Sequence, residues 1–513
     1  MIRKRKEQSP SKSSPFRGLG GLMFLLFGAL AFYIIHLFSK YSGIGISPDS
    51  IMYASTAQNI HDHFSLLTYN GKPITFFPVF YPFFLNICIF LSGGATPVAT
   101  GPVINGLLYM ATVFTTGYIA NKFRAPSYIY TCLILAAVVL SPALQQIYMY
   151  LWSETLFILE ILLFLIAWYR YQRSRSVKGL VIAGIIAAIC CLTRYAGITV
   201  IATGGLLLIL DNALSIKQRL SRLVLFGGVG ISLLAANLLL NRLSTGYSTG
   251  TRLPANTPFV ENMHFFGMVM LDWFGLPGKF EAAGVIVAAV VIIALIVLLL
   301  IGISRRRLGT LEFITTSFAL VYGLFILTIA SISRFEQMNS RLLSPMLIPL
   351  LLAFTCWAPD MLTCFRSFKK RLLATPFVCL ILALNYSYTR TDLELYEAYR
   401  EYGIPGYTDD DWNKSDFVQY LKTHRNSFKP GYPIYTDADE AVYMFAGRQS
   451  KLLPHVFFGK DVAMFYQEQK FYLIDFKRVT TKELLPVEDV LKRKKMVKVY
   501  DGIDGAVYLY EGK

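Results

Sequence analysis

The feature that most constrains this chain is the run GVIVAAVVIIALIVLLLIGI at 284–303, which carries no charge and no proline. A helix rises about 1.5 Å per residue, so a run of this length matches the roughly 30 Å hydrocarbon core of a bilayer. Inside hydrocarbon every backbone amide needs an internal partner, and a helix supplies one. Comparable apolar stretches lie near 20–38, 98–120, 127–142, 151–169, 179–193, 195–210, 222–241, 310–331, 342–358 and 373–388. Charged residues make up 16% of the 513, against about 25% in a soluble domain. The expected fold class is therefore a polytopic α-helical membrane protein.

Sidedness follows from the basic residues, because Lys and Arg collect in cytoplasmic loops. The segment 74–92 (ITFFPVFYPFFLNICIFLS) decides the count. If it does not cross, Lys122/Arg124, Arg170 to Lys178, Lys217 to Arg222, Arg305 to Arg307 and Arg366 to Arg371 share one side with the basic N-terminus. Pro78 and Pro82 also suit a bent interfacial helix better than a clean span. The expectation is about eleven spans, a cytoplasmic tail at 1–19, a transmembrane domain at 20–389 and an extracytoplasmic C-terminus. The first apolar run continues into a polar loop without a small-residue cleavage site, so it reads as an uncleaved span.

Three outer regions result: a first loop at 39–97, a second at 242–281, and a tail at 390–513. In the tail, PIYTDADEAVYMFAG reads as strand then helix, KFYLIDF as a strand, and MVKVYDGIDGAVYLYE as two strands about a turn. A small α/β domain is expected there. The net charge of +17 is dispersed in short clusters rather than on a basic face with interleaved aromatics, which argues against nucleic acid. The seven cysteines lie in or beside apolar segments, with no metal spacing and no disulfide framework.

Ionisable residues stand out against this background. Ser47 or Asp49 can cap the helix beginning SPDSIMYASTAQNI; Asp49 is also an acid just past the first span. Glu154 opens a span in YLWSETLFILE, and Glu160 lies deeper in it, where a charge is costly. Arg194 sits where the long apolar stretch 179–210 must turn, near Thr193–Gly197, and Arg341 begins another span. Guanidinium forks suit phosphate, although either arginine alone could be an interfacial anchor. One topology places Asp49, Glu154, Arg194 and Arg341 on the same outer face. His61 and His63 are more simply loop histidines than metal ligands. Arg252, His264, Asp272 and Trp273 in the second loop could line an acceptor groove, or Trp273 could anchor at the interface.

At these positions the sequence resembles the GT-C superfamily of membrane glycosyltransferases, in the branch of protein O-mannosyltransferases, lipid A aminoarabinose transferases and their bacterial relatives. The matching stretches, in order, are Asp49-Ser-Ile-Met-Tyr53, Phe77-Pro-Val-Phe-Tyr-Pro82, Ser153-Glu154-Thr-Leu-Phe157, Leu192-Thr-Arg194-Tyr-Ala-Gly197 and Arg341-Leu-Leu-Ser-Pro345. The tail is similar around Trp412–Ser415 and Ile434–Asp437. The resemblance implies inverting transfer from a polyprenyl-phosphate sugar in a cell (inner) membrane, to an envelope lipid, glycan or protein. It implies Asp49 as general base and Glu154 as a second catalytic acid, with Arg194 and Arg341 binding the lipid phosphate and Tyr53 and Tyr195 beside substrate. The first loop carries Asp49-Ser50 where many relatives have an acidic pair, so no metal and no other cofactor is expected. A transporter or flippase for lipid-linked glycans is the alternative, and a non-catalytic scaffold a third reading.

Overall fold

The computed structural model describes residues 19–124, 126–250, 254–276, 283–334, 336–359, 368–479 and 483–512. Among the described residues fourteen α-helices precede the last long one: α1 (Leu19–Phe38), α2 (Pro48–His63), α3 (Phe80–Leu91), α4 (Pro97–Ala120), α5 (Tyr128–Val139), α6 (Pro142–Tyr148), α7 (Glu154–Ser174), α8 (Val177–Thr193), α9 (Ile198–Ile209), α10 (Ile216–Thr245), α11 (Phe259–Trp273), α12 (Gly284–Ser304), α13 (Leu311–Ile332) and α14 (Ser340–Thr355). They begin where local chemistry says they should. Thr96-Pro97 and Ser141-Pro142 put a capping hydroxyl before a proline that needs no amide partner.

Among the described residues α1, α4, α10, α12 and α13 are each long and apolar enough to span a membrane, and α5 with α6 makes a sixth, bent by 56° at Leu140–Ser141. The stretch 127–142 is thus a broken helix rather than a plain span, and its second arm carries on to Tyr148. Shorter apolar helices fill the rest, including α3, α8 and α14. Only the second half of 74–92 is helical, starting after Pro78. The long stretch 179–210 does turn: Arg194 is extended, and one 3-10 turn at Tyr195–Gly197 leads into α9. Gly197 permits the turn, since a Cβ there would lie 2.4 Å from the backbone of Cys190.

The helix α15 (Phe368–Tyr402) runs past the boundary expected at 390 and hands the chain directly to the tail. The tail holds a five-stranded sheet of β1 (Ile434–Thr436), β2 (Lys451–Leu452), β3 (Phe471–Asp475), β4 (Val497–Asp501) and β5 (Ala506–Tyr510), in the order β2-β1-β3-β5-β4. β1 is parallel to β2 and β3, while β5 runs antiparallel to β3 and β4. The helix α18 (Asp439–Ala446) follows β1 and packs against α2.

The tail is fused to the membrane part by backbone contacts as well as packing. Tyr407 N donates to Ile46 O at 2.9 Å, Ile404 N to Ser42 Oγ at 3.0 Å, and Thr408 Oγ1 to Ile44 O at 3.2 Å. Gly406 has φ +115°, and a Cβ on it would sit 2.5 Å from Ile46 O. Residues 404–408 therefore grip the segment that leads into α2.

Candidate active site

The beginning of α2 is set by Ser47, which caps it in a reciprocal capping box with Ser50, and by Pro48 in the first turn. Of the two candidate caps Ser47 does the work, and Asp49 is released for another partner. The entry to α7 is held nearby: Gly45 N donates to Met149 O at 2.8 Å, and Leu151 N to Gly45 O at 3.1 Å. This short parallel bridge brings Asp49 and Glu154 to one end of the bundle.

Four ionisable groups meet there in an alternating chain. Asp49 Oδ2 pairs with a terminal nitrogen of Arg341 at 2.5 Å; Arg341 Nε donates to Glu154 Oε1 at 2.7 Å; Glu154 Oε2 pairs with Arg194 at 2.7 Å. Glu154 is 1% exposed and is the shared partner of both guanidinium groups, whereas Asp49, at 28%, faces open space. Two carboxylates and two guanidinium groups balance, which is how a low-dielectric site can hold so many charges.

Neighbouring side chains fix the cluster. The Arg341 guanidinium lies 4.1 Å from the centre of the Trp152 ring, and the Trp152 indole donates to Ser47 Oγ at 2.8 Å. Arg194 also donates to Ser153 Oγ at 2.8 Å, and Ser153 Oγ lies 3.1 Å from the Tyr53 hydroxyl. Tyr53 is fully buried against Phe77 and Tyr81. Burial, and then the nearby Asp49 carboxylate, holds its phenol well above the ordinary range, so it stays a neutral hydrogen-bonding group. Tyr195 hydrogen-bonds Thr75 O at 2.9 Å, tying the turn after α8 to the first loop.

Two cavities flank the cluster. One, of about 480 Å³, has Arg194 and Tyr195 at its head and an apolar wall that includes Phe76, Phe325, Ile326 and Ile329. Among the described residues the Nε of Arg194, itself buried, meets no acceptor. The other, of about 520 Å³, is walled by Asp49 and Arg341 together with Trp152, Gln146, Glu336 and Asn339. The cluster thus stands between an apolar and a polar space.

Asp49, Tyr53, Glu154, Arg194 and Arg341 come together; Tyr195 lines the apolar cavity beside Arg194. Glu160 lies apart, accepting from Thr193 Oγ1 at 2.8 Å, so it pairs with the adjacent helix α8. His61 and His63 close the last turn of α2 two residues apart, on different faces, and no group of three or more potential metal ligands occurs among the described residues. Trp273 is buried, its indole donates to Ser340 Oγ at 2.7 Å, and it lines with Asp272 a cavity of about 230 Å³. His264 packs on Gly284 of α12, Asp272 faces a small cavity beside Tyr388, and Arg252 lies outside the described residues. Trp152 is the residue that sequence reasoning missed. A tryptophan immediately before the Ser-Glu pair was its one available signal.

No protein-family model and no curated protein matches the chain. Solved structures do. The crystal structure of ArnT from Cupriavidus metallidurans bound to undecaprenyl phosphate matches with a TM-score of 0.57 at 12% identity, covering 96% of this chain and 98% of that one. The apo structure of the same protein matches with a TM-score of 0.59 at 13% identity, covering 94% and 97%. The shared fold runs through both the helical part and the tail. At this identity it is the architecture that is shared, and the chain has an ArnT-like fold.

Proposed function

We propose that this protein transfers a sugar from a polyprenyl-phosphate donor to an acceptor at the extracytoplasmic face of a cell membrane, with inversion and without a metal. The observation that carries the reading is the placement of the Asp49–Arg341–Glu154–Arg194 cluster between an apolar cavity and a polar one. A lipid phosphate has an apolar chain and an anionic head. The first would follow the wall of Phe325, Ile326 and Ile329, and the second would meet the Arg194 guanidinium. A hydrophilic acceptor would come through the polar cavity to Asp49. The likeness to an ArnT structure holding undecaprenyl phosphate supports the donor class.

In this mechanism Asp49 accepts the proton of the acceptor hydroxyl as it attacks the anomeric carbon. The leaving phosphodiester gains charge as it becomes a monoester, and Arg194 and Arg341 stabilise it. Glu154 acts through them: it holds both guanidinium groups in place in the unloaded site. Tyr53 and Ser153 orient Arg194, and Tyr195 lines the lipid cavity beside it. The orientation, with about eleven spans and the tail outside, rests on the basic clusters. The sugar transferred is a hexose or a pentose.

The test is mass spectrometry of envelope lipids and glycoproteins from cells lacking the protein, complemented with the wild type or with Asp49→Asn. A modification restored only by the wild type supports the reading. Restoration by both refutes Asp49 as the base. Movement of the labelled lipid across vesicles by purified protein, with the sugar bond intact, would favour the flippase instead.

A further inference from the structure

A second charged cavity, of about 290 Å³, lies at the end of the bundle where the basic loops gather. It is lined by Arg124 from the turn after α4 and by Arg305 and Arg307 from the turn between α12 and α13. Its carboxylate is Glu312, which is occupied by the backbone amide of Arg124 at 3.0 Å. Among the described residues none of the three guanidinium groups is paired with a carboxylate.

Their convergence is built by the turn. Arg305 N bonds Ile301 O at 3.0 Å and Arg307 N bonds Gly302 O at 2.8 Å, while Arg306 takes the left-handed conformation at φ +52°. Two of three consecutive arginines thus line the cavity and the middle one does not. Gly302 allows α12 and α13 to touch beneath it, since a Cβ there would meet the Phe313 ring at 2.5 Å. Thr310 and Thr316 add hydroxyls to the lining, and on its apolar side Leu298 and Ile301 belong to α12, a helix whose outer side is exposed along its length. Trp357, 41% exposed, stands at the rim as an interfacial tryptophan does.

We infer that Arg124, Arg305 and Arg307 form a binding site for the phosphate headgroup of an anionic phospholipid, with its acyl chain lying along the apolar face of α12. Basic pockets between membrane helices suit such headgroups. A free phosphate would need only the arginines; the adjoining lipid-facing wall favours a molecule with a chain. The site is at the opposite end from the Asp49 cluster, so it is not the donor site.

The experiment uses the purified full-length protein and reads lipid binding rather than sugar transfer, so its outcome is separate from the fate of the proposed activity. Native mass spectrometry and thermal unfolding would be measured with phosphatidylglycerol, phosphatidylcholine and glycerol phosphate. The wild type should retain phosphatidylglycerol over phosphatidylcholine. Each arginine near a headgroup accounts for a factor of about five, so Arg124→Gln, Arg305→Gln and Arg307→Gln together should weaken binding on the order of a hundred-fold. Arg306→Gln should leave it unchanged. If the triple variant fails to fold, Arg305→Gln alone should show the smaller loss. Equal retention of both lipids, undiminished binding in the variants, an equal loss in Arg306→Gln, or equally tight binding of glycerol phosphate would each overturn the inference.

Discussion

Replacing Asp49 by asparagine separates catalysis from architecture at this site. The ion pair it removes, 2.5 Å from Arg341, is part exposed at 28% on the carboxylate side. Such pairs contribute up to about 1 kcal/mol to stability. Arg341 keeps Glu154 at 2.7 Å, so no guanidinium is left buried without a counter-charge. The fold should therefore lose at most about 1 kcal/mol. The loss of a general base is another matter: about 10²–10⁴ in rate, or roughly 2.7–5.4 kcal/mol of barrier. Glu154→Gln is the contrast. Glu154 is 1% exposed and shared by Arg194 and Arg341, so its neutralisation takes from buried Arg194 its carboxylate partner, leaves Arg341 with Asp49 alone, and should cost about 3–5 kcal/mol of stability. The assay is turnover of a lipid-phosphate sugar by purified protein, alongside thermal unfolding and donor binding. Full turnover in Asp49→Asn would refute the base assignment. A drop in stability equal to that of Glu154→Gln would show that Asp49 is a structural partner of Arg341 and no more.

Other consequences are open to measurement. Arg194→Ala should raise the KM for the lipid donor by about ten- to a hundred-fold, as expected for a lost charge-assisted contact of about 1.5–3 kcal/mol; an unchanged KM removes Arg194 from the phosphate site. Gly406→Ala should abolish most activity without touching the cluster, because a Cβ 2.5 Å from Ile46 O must displace the segment leading to Asp49; normal turnover would show that the tail does not position α2. Burial pushes the Asp437 carboxyl up to about 7. Burial, then the Asp439 charge, pushes Glu440 up to about 8. Folding favours the protonated forms, so their contribution is complete below about pH 4 and is lost as pH rises through about 7–8. Hydrogen exchange around β1 and α18 should accordingly be faster, after correction for intrinsic rates, at about pH 9 than at about pH 5; the reverse order would contradict the sign.

Much of this protein is written locally. The length of the run at 284–303 dictates a membrane helix by itself, because hydrocarbon leaves a backbone no other way to satisfy its amides. Helix starts such as Ser141-Pro142 need only adjacent residues, and so do the strands of the tail, where KFYLIDF becomes β3 and MVKVYDGIDGAVYLYE becomes β4 and β5. The sequence also singled out Asp49, Glu154, Arg194 and Arg341, since charges beside apolar runs are conspicuous. Their pairing was beyond its reach. Asp49 and Arg341 are 292 positions apart, and no periodicity reports which acid will share which guanidinium. That Ser47 rather than Asp49 caps α2, that Trp152 lies on Arg341, and that 404–408 grip 42–46 were all decided by tertiary packing. So were the two cavities on either side of the cluster, because a cavity belongs to the space between elements and to no segment of the chain.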